Sequence, residues 1–322
     1  MRKNKSGSRV VQQQCQQRFR KVRVMQRIVG SIAIAALEGV SYLPESLLLG
    51  IARGWGQLGP LVQRSRAARA RINLARVYTF RDGAAPTSAA LSRGVQLLFE
   101  HHLRFYIETA RAPRHGRRTI LESVTLEDAA AVDRAFAPDS GPVIFLAAHF
   151  GAIELPGAIL SMRAGRNPVA PMEELKNPYL QAWMLKVRGE GLGLRIIPTR
   201  GAAAVLSTEL AAGGTIGMVG DRNIVGTGVP VTFFGAPARL PIGPALLAVE
   251  SGARLFVAAV TREPERRYTG YIRAVGIPAT GDRMERSRAT INGIAAAFEE
   301  LILKAPEQWW TLFYPIWDDL LV

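Results

Sequence analysis

Val143-Ile144-Phe145-Leu146-Ala147-Ala148-His149-Phe150-Gly151-Ala152-Ile153-Glu154 is the stretch that decides the fold. Its first six residues are a continuous apolar run of strand length, preceded by Gly141-Pro142 and closed by a histidine. A half-exposed strand would alternate apolar with polar residues, so an unbroken run suits a strand covered on both faces. Two further runs, Ile216–Gly220 and Leu255–Val260, have the same character. Helix-like stretches separate or follow them at Ile153–Met162, Tyr179–Glu190, Ala202–Ala212 and Pro244–Glu250. Strands alternating with helices predict an α/β fold, a central largely parallel or mixed sheet flanked by helices.

Upstream of the sheet, Ser88 is placed to cap a helix through Leu97, Leu98 and Tyr106, with Ala112-Pro-Arg-His-Gly-Arg-Arg118 as the loop that ends it. Leu126–Phe136 is a further helix candidate. His101 and His102 are adjacent on a helix and so point in different directions. With His115 assigned to the loop, no metal site is predicted, and the spacing is not that of H-E-x-x-H.

The chain has 322 residues and a formal charge of +15, unevenly spread. Residues 1–81 carry sixteen Lys and Arg against Glu38 and Glu45, a balance of +14, which leaves the remainder close to neutral. A basic end on a neutral body meets polyanions, either anionic lipid headgroups or nucleic acid. A nucleic-acid binder would carry basic residues and stacking aromatics across its folded surface, and the charge here stops near Arg81. Directly after the basic residues 1–27 comes the apolar run Ile28–Leu37, interrupted by Glu38 and then Pro44. A spanning helix needs about 20 mostly apolar residues, so the expectation is an interfacial helical anchor with Trp55 at headgroup depth. The arginines of 64–81 add a basic helix side suited to an anionic leaflet. The organisation predicted is a basic tail (1–27), a membrane-associated helical segment (28–81) and an α/β domain (82–322). Cys15 is the single cysteine, so no disulfide framework exists.

Ligands of open α/β sheets gather beyond the carboxyl ends of strands, where His149 stands. Glu154 comes five residues later at a helix start, and a strand-to-helix turn can fold its carboxylate back toward the imidazole. A carboxylate on one ring nitrogen fixes the tautomer and raises the basicity of the other, as a general base for an alcohol requires. The alternative is a histidine satisfied by local bonds, with Glu154 merely favoured at a helix N-terminus. Asp221 repeats the placement, lying just beyond Ile216–Gly220, so two strand ends can converge on one pocket. The segment from Gly226 to Gly235 then reads as a glycine-bounded hairpin or loop.

HFGAIE at 149–154, GDRN at 220–223, GTGVPVTFFGAPARLPIGPALLAVESGA at 226–253 and PEQWWTLFYPIW at 306–317 together resemble the bacterial late acyltransferases of lipid A. They are at least as similar to the related acyltransferases of phosphatidylinositol mannosides. The match runs in order from about Tyr42 to Trp317, and INLARVY at 72–78 resembles the family's N-terminal region. The resemblance implies His149 as base, Glu154 as the acid of an H-x4-E motif, and Asp221 on the acidic position before the FFG block. Met172-Glu173-Glu174-Leu175 resembles the second block, and Arg188 the later arginine. Arg222 stands where most lipid A enzymes have Gln, a departure toward the mannoside enzymes.

The resemblance also implies acyl transfer to a glycolipid hydroxyl from acyl-CoA or acyl carrier protein as co-substrate, with no resident cofactor, at the cytoplasmic face of the bacterial inner membrane. The chain contains no G-x-S-x-G elbow, and Cys15 lies outside the body, so no acyl-enzyme is expected. Arg188 and Arg222 are candidates to hold a substrate phosphate, or to pair internally with Glu173, Glu190 or Asp221. Glu173 and Glu174 are substrate-binding candidates and equally candidate surface charges. The aromatic end, with Trp309, Trp310 and Trp317, is expected to pack on the sheet rather than line an acyl tunnel. A catalytically inactive lipid-binding relative is the rival reading.

Overall fold

The computed structural model describes residues 24–320 apart from 138–140, 164–166, 224–225, 227 and 265–266, and the side chains of 113–121 are also outside the description. The expectations for most of the basic tail, for Cys15 and for the His115 side chain therefore fall outside the described residues.

Seven strands form one sheet: β1 (Val124–Leu126), β2 (Val143–Ala147), β3 (Val169–Met172), β4 (Arg195–Pro198), β5 (Thr215–Val219), β8 (Arg254–Arg262) and β9 (Tyr268–Val275). Their order is β1-β9-β8-β2-β5-β3-β4. The five strands from β8 to β4 are mutually parallel, whereas β9 runs antiparallel to β8 and carries β1 with it. The sheet is thus α/β and mostly parallel, with a reversed edge. A separate hairpin pairs β6 (Gly228–Phe233) with β7 (Ala236–Pro241).

Val143, Ile144, Phe145 and Leu146 are all buried, as an unbroken apolar strand requires. Helices α5 (Ala129–Ala135), α6 (Glu154–Arg163), α7 (Pro178–Lys186), α8 (Ala202–Ala211), α9 (Gly243–Ser251) and α10 (Arg283–Ile302) accompany the strands. β3 and β4 are four residues each and both contain a proline, so neither gives the strand-length apolar run that reveals β2. α10 begins with a capping box in which Asp282 and Glu285 satisfy each other's backbone donors.

Four helices precede or flank this body: α1, helical from Val24 to Ser41, α2 (Glu45–Val62), α3 (Arg64–Asp82) and α4 (Ser88–Glu122). α1 continues through Glu38 instead of stopping there, and by length and composition it can cross a membrane. Its Ile28, Val29 and Ile32 are exposed, as are Leu47, Ile51, Leu58 and Leu61 of α2. The opposite side of α2 presents Gly56 and Gly59 to α4, where an added Cβ would meet Gln96 O at 2.9 Å and the Phe99 ring at 2.5 Å.

Three local expectations are corrected. Thr87, not Ser88, caps α4, its hydroxyl accepting from Ala90 N at 3.1 Å, while the Ser88 hydroxyl accepts from Arg71. The loop expected at 112–118 is helical, because α4 packs against α2, α3 and α6 and tertiary packing outweighs a local breaker signal. Leu126–Phe136 is the end of β1 followed by α5, whose Asp128 cap accepts from Ala131 N.

The arginine side of α3 is largely engaged inside the protein. Arg76 pairs with Asp319, Arg69 donates to Leu320 O, and Arg66 lies 4.2 Å over the Phe313 ring. Buried Asn73 donates to Leu312 O and Tyr314 O, at 2.9 and 2.8 Å. α3 therefore clamps the C-terminal aromatic segment against the sheet.

Candidate active site

The sheet register creates the central pair. Ala147 of β2 lies opposite Val219 of β5, so two residues further along each parallel strand His149 and Asp221 arrive side by side. The pair is joined twice. His149 N donates to Asp221 Oδ2 at 3.0 Å, and His149 Nδ1 lies 2.7 Å from Asp221 Oδ1. Trp309 Nε1 and Thr311 Oγ1 also donate to Oδ2, at 2.8 and 2.6 Å.

Burial by itself would raise the Asp221 carboxyl, but the His149 charge and the bonds from His149, Thr311 and Trp309 outweigh it and hold the group down at about 2. An ionised carboxylate only accepts hydrogen bonds. Nδ1 is therefore the protonated nitrogen, and in the neutral ring the lone pair is at Nε2. The imidazole is 16% exposed and lies edge-on to Trp310, centroids 4.6 Å apart.

The loop that carries His149 is fixed at several points. Gly151 N donates to Gln308 O, Ala152 N to Val260 O, and Trp310 N back to His149 O. Gly151 has φ 55°, and a Cβ there would stand 1.9 Å from Val260 O, so only glycine lets the turn lie against β8.

Glu154 does not fold back to the imidazole. Its carboxylate, at the start of α6, takes Arg188 Nη2 at 2.7 Å and Nε at 3.1 Å. Arg188 sits in a π turn (Val187–Gly191) that extends α7 and brings its side chain over α6. Arg188 thus pairs internally, with Glu154 in place of the acids expected from the sequence. Arg222, next to Asp221, lies 3.8 Å over the Tyr314 ring. Glu173 and Glu174 follow the carboxyl end of β3 and are exposed.

Between α6 and the sheet face runs an apolar cavity of about 130 Å³, lined by Phe145, Leu160, Met172, Val219 and Ile272 among others and bordered by Glu154 and Arg188. Gly217 keeps it open, since a Cβ at that position would press on Leu160 at 3.1 Å. Among the described residues, no group of three or more His, Cys, Asp and Glu side chains is arranged to hold a metal ion.

Trp309 and Trp317 are fully buried, in ring contact with Phe233 and Phe234 at the turn end of the β6–β7 hairpin rather than on the seven-stranded sheet. Thr311 and Gln308 are not singled out by sequence reasoning, and Trp310 only as packing, although all three contact or brace the histidine loop. The run PEQWWTLFYPIW marks its own importance by composition, but nothing local to it reveals a hydrogen bond across 90 residues to Asp221.

A mostly parallel α/β sheet with a histidine and a buried carboxylate paired at adjacent strand ends, beside an apolar cavity, defines a site suited to proton transfer on an apolar substrate. The chain belongs to the bacterial lipid A biosynthesis acyltransferase family, whose model matches residues 15–317. It is 32% identical over 191 residues to a phosphatidylinositol mannoside acyltransferase of Mycobacterium tuberculosis H37Rv, a match covering 58% of each chain. The protein of the same description from Mycolicibacterium smegmatis is 29% identical over 190 residues, covering 58% of this chain and 60% of that one. The match thus spans somewhat over half the length of these curated relatives.

Proposed function

We propose that the chain transfers a fatty acyl group from an acyl thioester, acyl-CoA or acyl carrier protein, to a hydroxyl of a membrane glycolipid. The names of the relatives favour a phosphatidylinositol mannoside over a lipid A precursor as acceptor. The observation that carries the reading is the Asp221 carboxylate on His149 Nδ1, which leaves Nε2 to accept a proton.

In this reaction His149 removes the acceptor proton as the oxygen attacks the thioester carbonyl. A C–O ester bond forms, the C–S bond breaks, and the imidazolium returns its proton to the departing thiolate. Asp221 stabilises the transient imidazolium. The cavity beneath α6 takes the acyl chain, and the Glu154–Arg188 pair holds its border. General-base assistance of this kind is worth about 10²–10⁴ in rate.

The exposed apolar sides of α1 and α2 support attachment to a membrane, and a thioester donor made in the cytoplasm favours a site at the cytoplasmic face. The test is His149→Ala, assayed by mass spectrometry for acylated glycolipid. Transfer should fall by about 10²–10⁴, with the protein still folded at the assay temperature and lipid binding near wild type. Transfer within a few-fold of wild type in folded His149→Ala protein leaves the inactive lipid binder as the better reading.

A further inference from the structure

Two stretches that stand out in the sequence and that the proposed reaction leaves unused, residues 72–78 and 306–317, meet in the structure. Asn73, in the middle of α3 and fully buried, gives its amide protons to Leu312 O at 2.9 Å and Tyr314 O at 2.8 Å. Further along the same helix, the Tyr78 hydroxyl donates to the Glu307 carboxylate. These bonds hold the 3₁₀ turn Trp310–Phe313, which carries Thr311.

Asparagine is a weaker helix former than alanine or leucine, and the Oδ1 of Asn73 has no hydrogen-bond partner among the described residues. A helix that only had to pack on the C-terminal segment would present an apolar side chain here, as α3 does at Leu74 and Val77. What the amide supplies and an apolar residue cannot is a fixed register between α3 and the two carbonyls that flank Phe313.

That register reaches the His149–Asp221 pair. Thr311 is fully buried and its hydroxyl lies 2.6 Å from Asp221 Oδ2. An ionised carboxylate only accepts, so the hydroxyl donates, and the separation is that of a charge-assisted O–H···O⁻ bond. The other side-chain donor to Oδ2, Trp309 Nε1, is placed independently, its ring packed among Phe233, Phe234 and Trp317. A carboxylate turns readily about its Cβ–Cγ bond, because the terminal torsion of aspartate is broad. Donors that gather on Oδ2 therefore decide where Oδ1 points, and Oδ1 is the oxygen that meets His149 Nδ1.

We infer that Thr311 and Asn73 are positioning residues for the proton transfer, Thr311 by aiming the Asp221 carboxylate at the imidazole and Asn73 by seating the turn that carries Thr311. The kinetic consequence rests on the acyl-transfer reading, whereas the aim of the carboxylate does not. α3 thereby belongs to the active-site scaffold, although it lies outside the sheet and some 240 residues before the turn it holds.

Two readouts on the full chain in detergent micelles test it. One is transfer from palmitoyl-CoA to a phosphatidylinositol mannoside, and the other is the magnetic resonance signal of the His149 Nδ1 proton in protein with nitrogen-labelled histidine. Thr311→Val keeps the shape and loses the hydroxyl. Its kcat should fall by about ten- to a hundredfold, the scale of a slightly misplaced catalytic group, with KM for both substrates near wild type. Thr311→Ser, which keeps the hydroxyl, should restore kcat to within a few-fold. The Nδ1 proton signal should move in Thr311→Val and return in Thr311→Ser. Asn73→Leu should lower kcat by about tenfold and add little in a Thr311→Val background. Thr311→Val should likewise cost almost nothing more in Asp221→Ala, where no carboxylate remains to be aimed, whereas independent effects would multiply. A displaced signal with kcat unchanged in Thr311→Val keeps the positioning and sinks the relay through Asp221. Folded Thr311→Val with both kcat and the signal of wild type, or a loss that multiplies with that of Asp221→Ala, overturns the inference. Folded Asn73→Leu with the kcat and signal of wild type removes α3 from the site.

Discussion

Asp221 and Glu154 are both buried carboxylates at the carboxyl edge of the sheet, yet they are held in opposite ways. Asp221 accepts from four donors, the His149 backbone and ring, Trp309 and Thr311, and only the ring among them can change its charge. Glu154 is gripped by the guanidinium of Arg188, which is cationic at every working pH. An acid tied to a titrating ring can answer a proton arriving on that ring. An acid locked to a permanent cation is neutralised beforehand and acts by holding geometry. In the proposed reaction this difference puts Asp221 on the proton's path and leaves Glu154 as a positioning residue that fixes α6 and the rim of the apolar cavity.

Breaking the Asp221 side should have the largest effect. Asp221→Asn keeps the shape but removes the charge that stabilises an imidazolium, and its amide nitrogen opposes one of the present donors. The kcat of transfer should fall by about 10²–10³, approaching the loss expected for His149→Ala. A pH profile separates this from simple misfolding: folded variant protein should show a pH dependence of transfer different from wild type, because an amide no longer stabilises the imidazolium. An activity loss below tenfold would move the relay away from Asp221.

The same carboxylate also predicts an acid-stability signature. Its folded value, about 2, is depressed from an ordinary 3.8. A depressed acid contributes stability that is fully present above the unfolded value and is lost as pH falls through the folded one. The contribution is about 2 kcal/mol, and it should disappear between roughly pH 4 and pH 2. Urea unfolding of wild type and Asp221→Asn at pH 6 and pH 3 measures it, the gap between the two proteins narrowing at the lower pH.

Why the sequence named both acids but could not tell which one meets the histidine is a matter of distance along the chain. β2, β5 and β8 were legible because strands in the middle of a mostly parallel sheet leave unbroken apolar runs, and the ends of such runs mark where ligands gather. That logic reaches His149 and Asp221 separately. It does not contain the register of Ala147 opposite Val219 that joins them, since parallel pairing is set by the whole sheet. Glu154 looked like the nearer partner because it is five residues away, but the turn at Gly151 sends it toward Arg188, whose position depends on a π turn without a local signature. The N-terminal helices were legible as apolar and basic. That the α3 arginines clamp the C-terminus rather than all facing solvent depends on tertiary contacts no local pattern encodes.

A smaller effect should come from Glu154→Gln. The amide still meets Arg188, but the guanidinium stays mostly buried without its counter-charge, at a cost of about 3–5 kcal/mol if the site cannot relax. Transfer should slow by about tenfold at 25 °C through displacement of α6, and the pH profile of transfer should stay that of wild type. The double variant Glu154→Gln with Arg188→Met should recover part of the stability, because the unpaired cation is gone. A shift of the pH profile in Glu154→Gln would show that this acid does reach the proton's path.

The smallest effect belongs to Glu173 and Glu174, which share the carboxyl edge with Asp221 but none of its burial. Both are exposed beyond β3, on a segment whose shape is set by other groups. Leu175 N donates to Gln181 Oε1 at 2.9 Å, and the Asn177 side chain accepts from Tyr179 N while donating to Gln26 O of α1. Neither glutamate is needed for that geometry, so Glu173→Gln and Glu174→Gln should each change stability by no more than about 0.5 kcal/mol. Because the segment touches α1 and lies at the rim of the site, any kinetic change should appear in KM for the acceptor and stay within about threefold, the scale of an exposed polar contact. A tenfold rise in acceptor KM for one of the two, with kcat unchanged, would make that glutamate a direct contact to the sugar and extend the site from β5 across to β3.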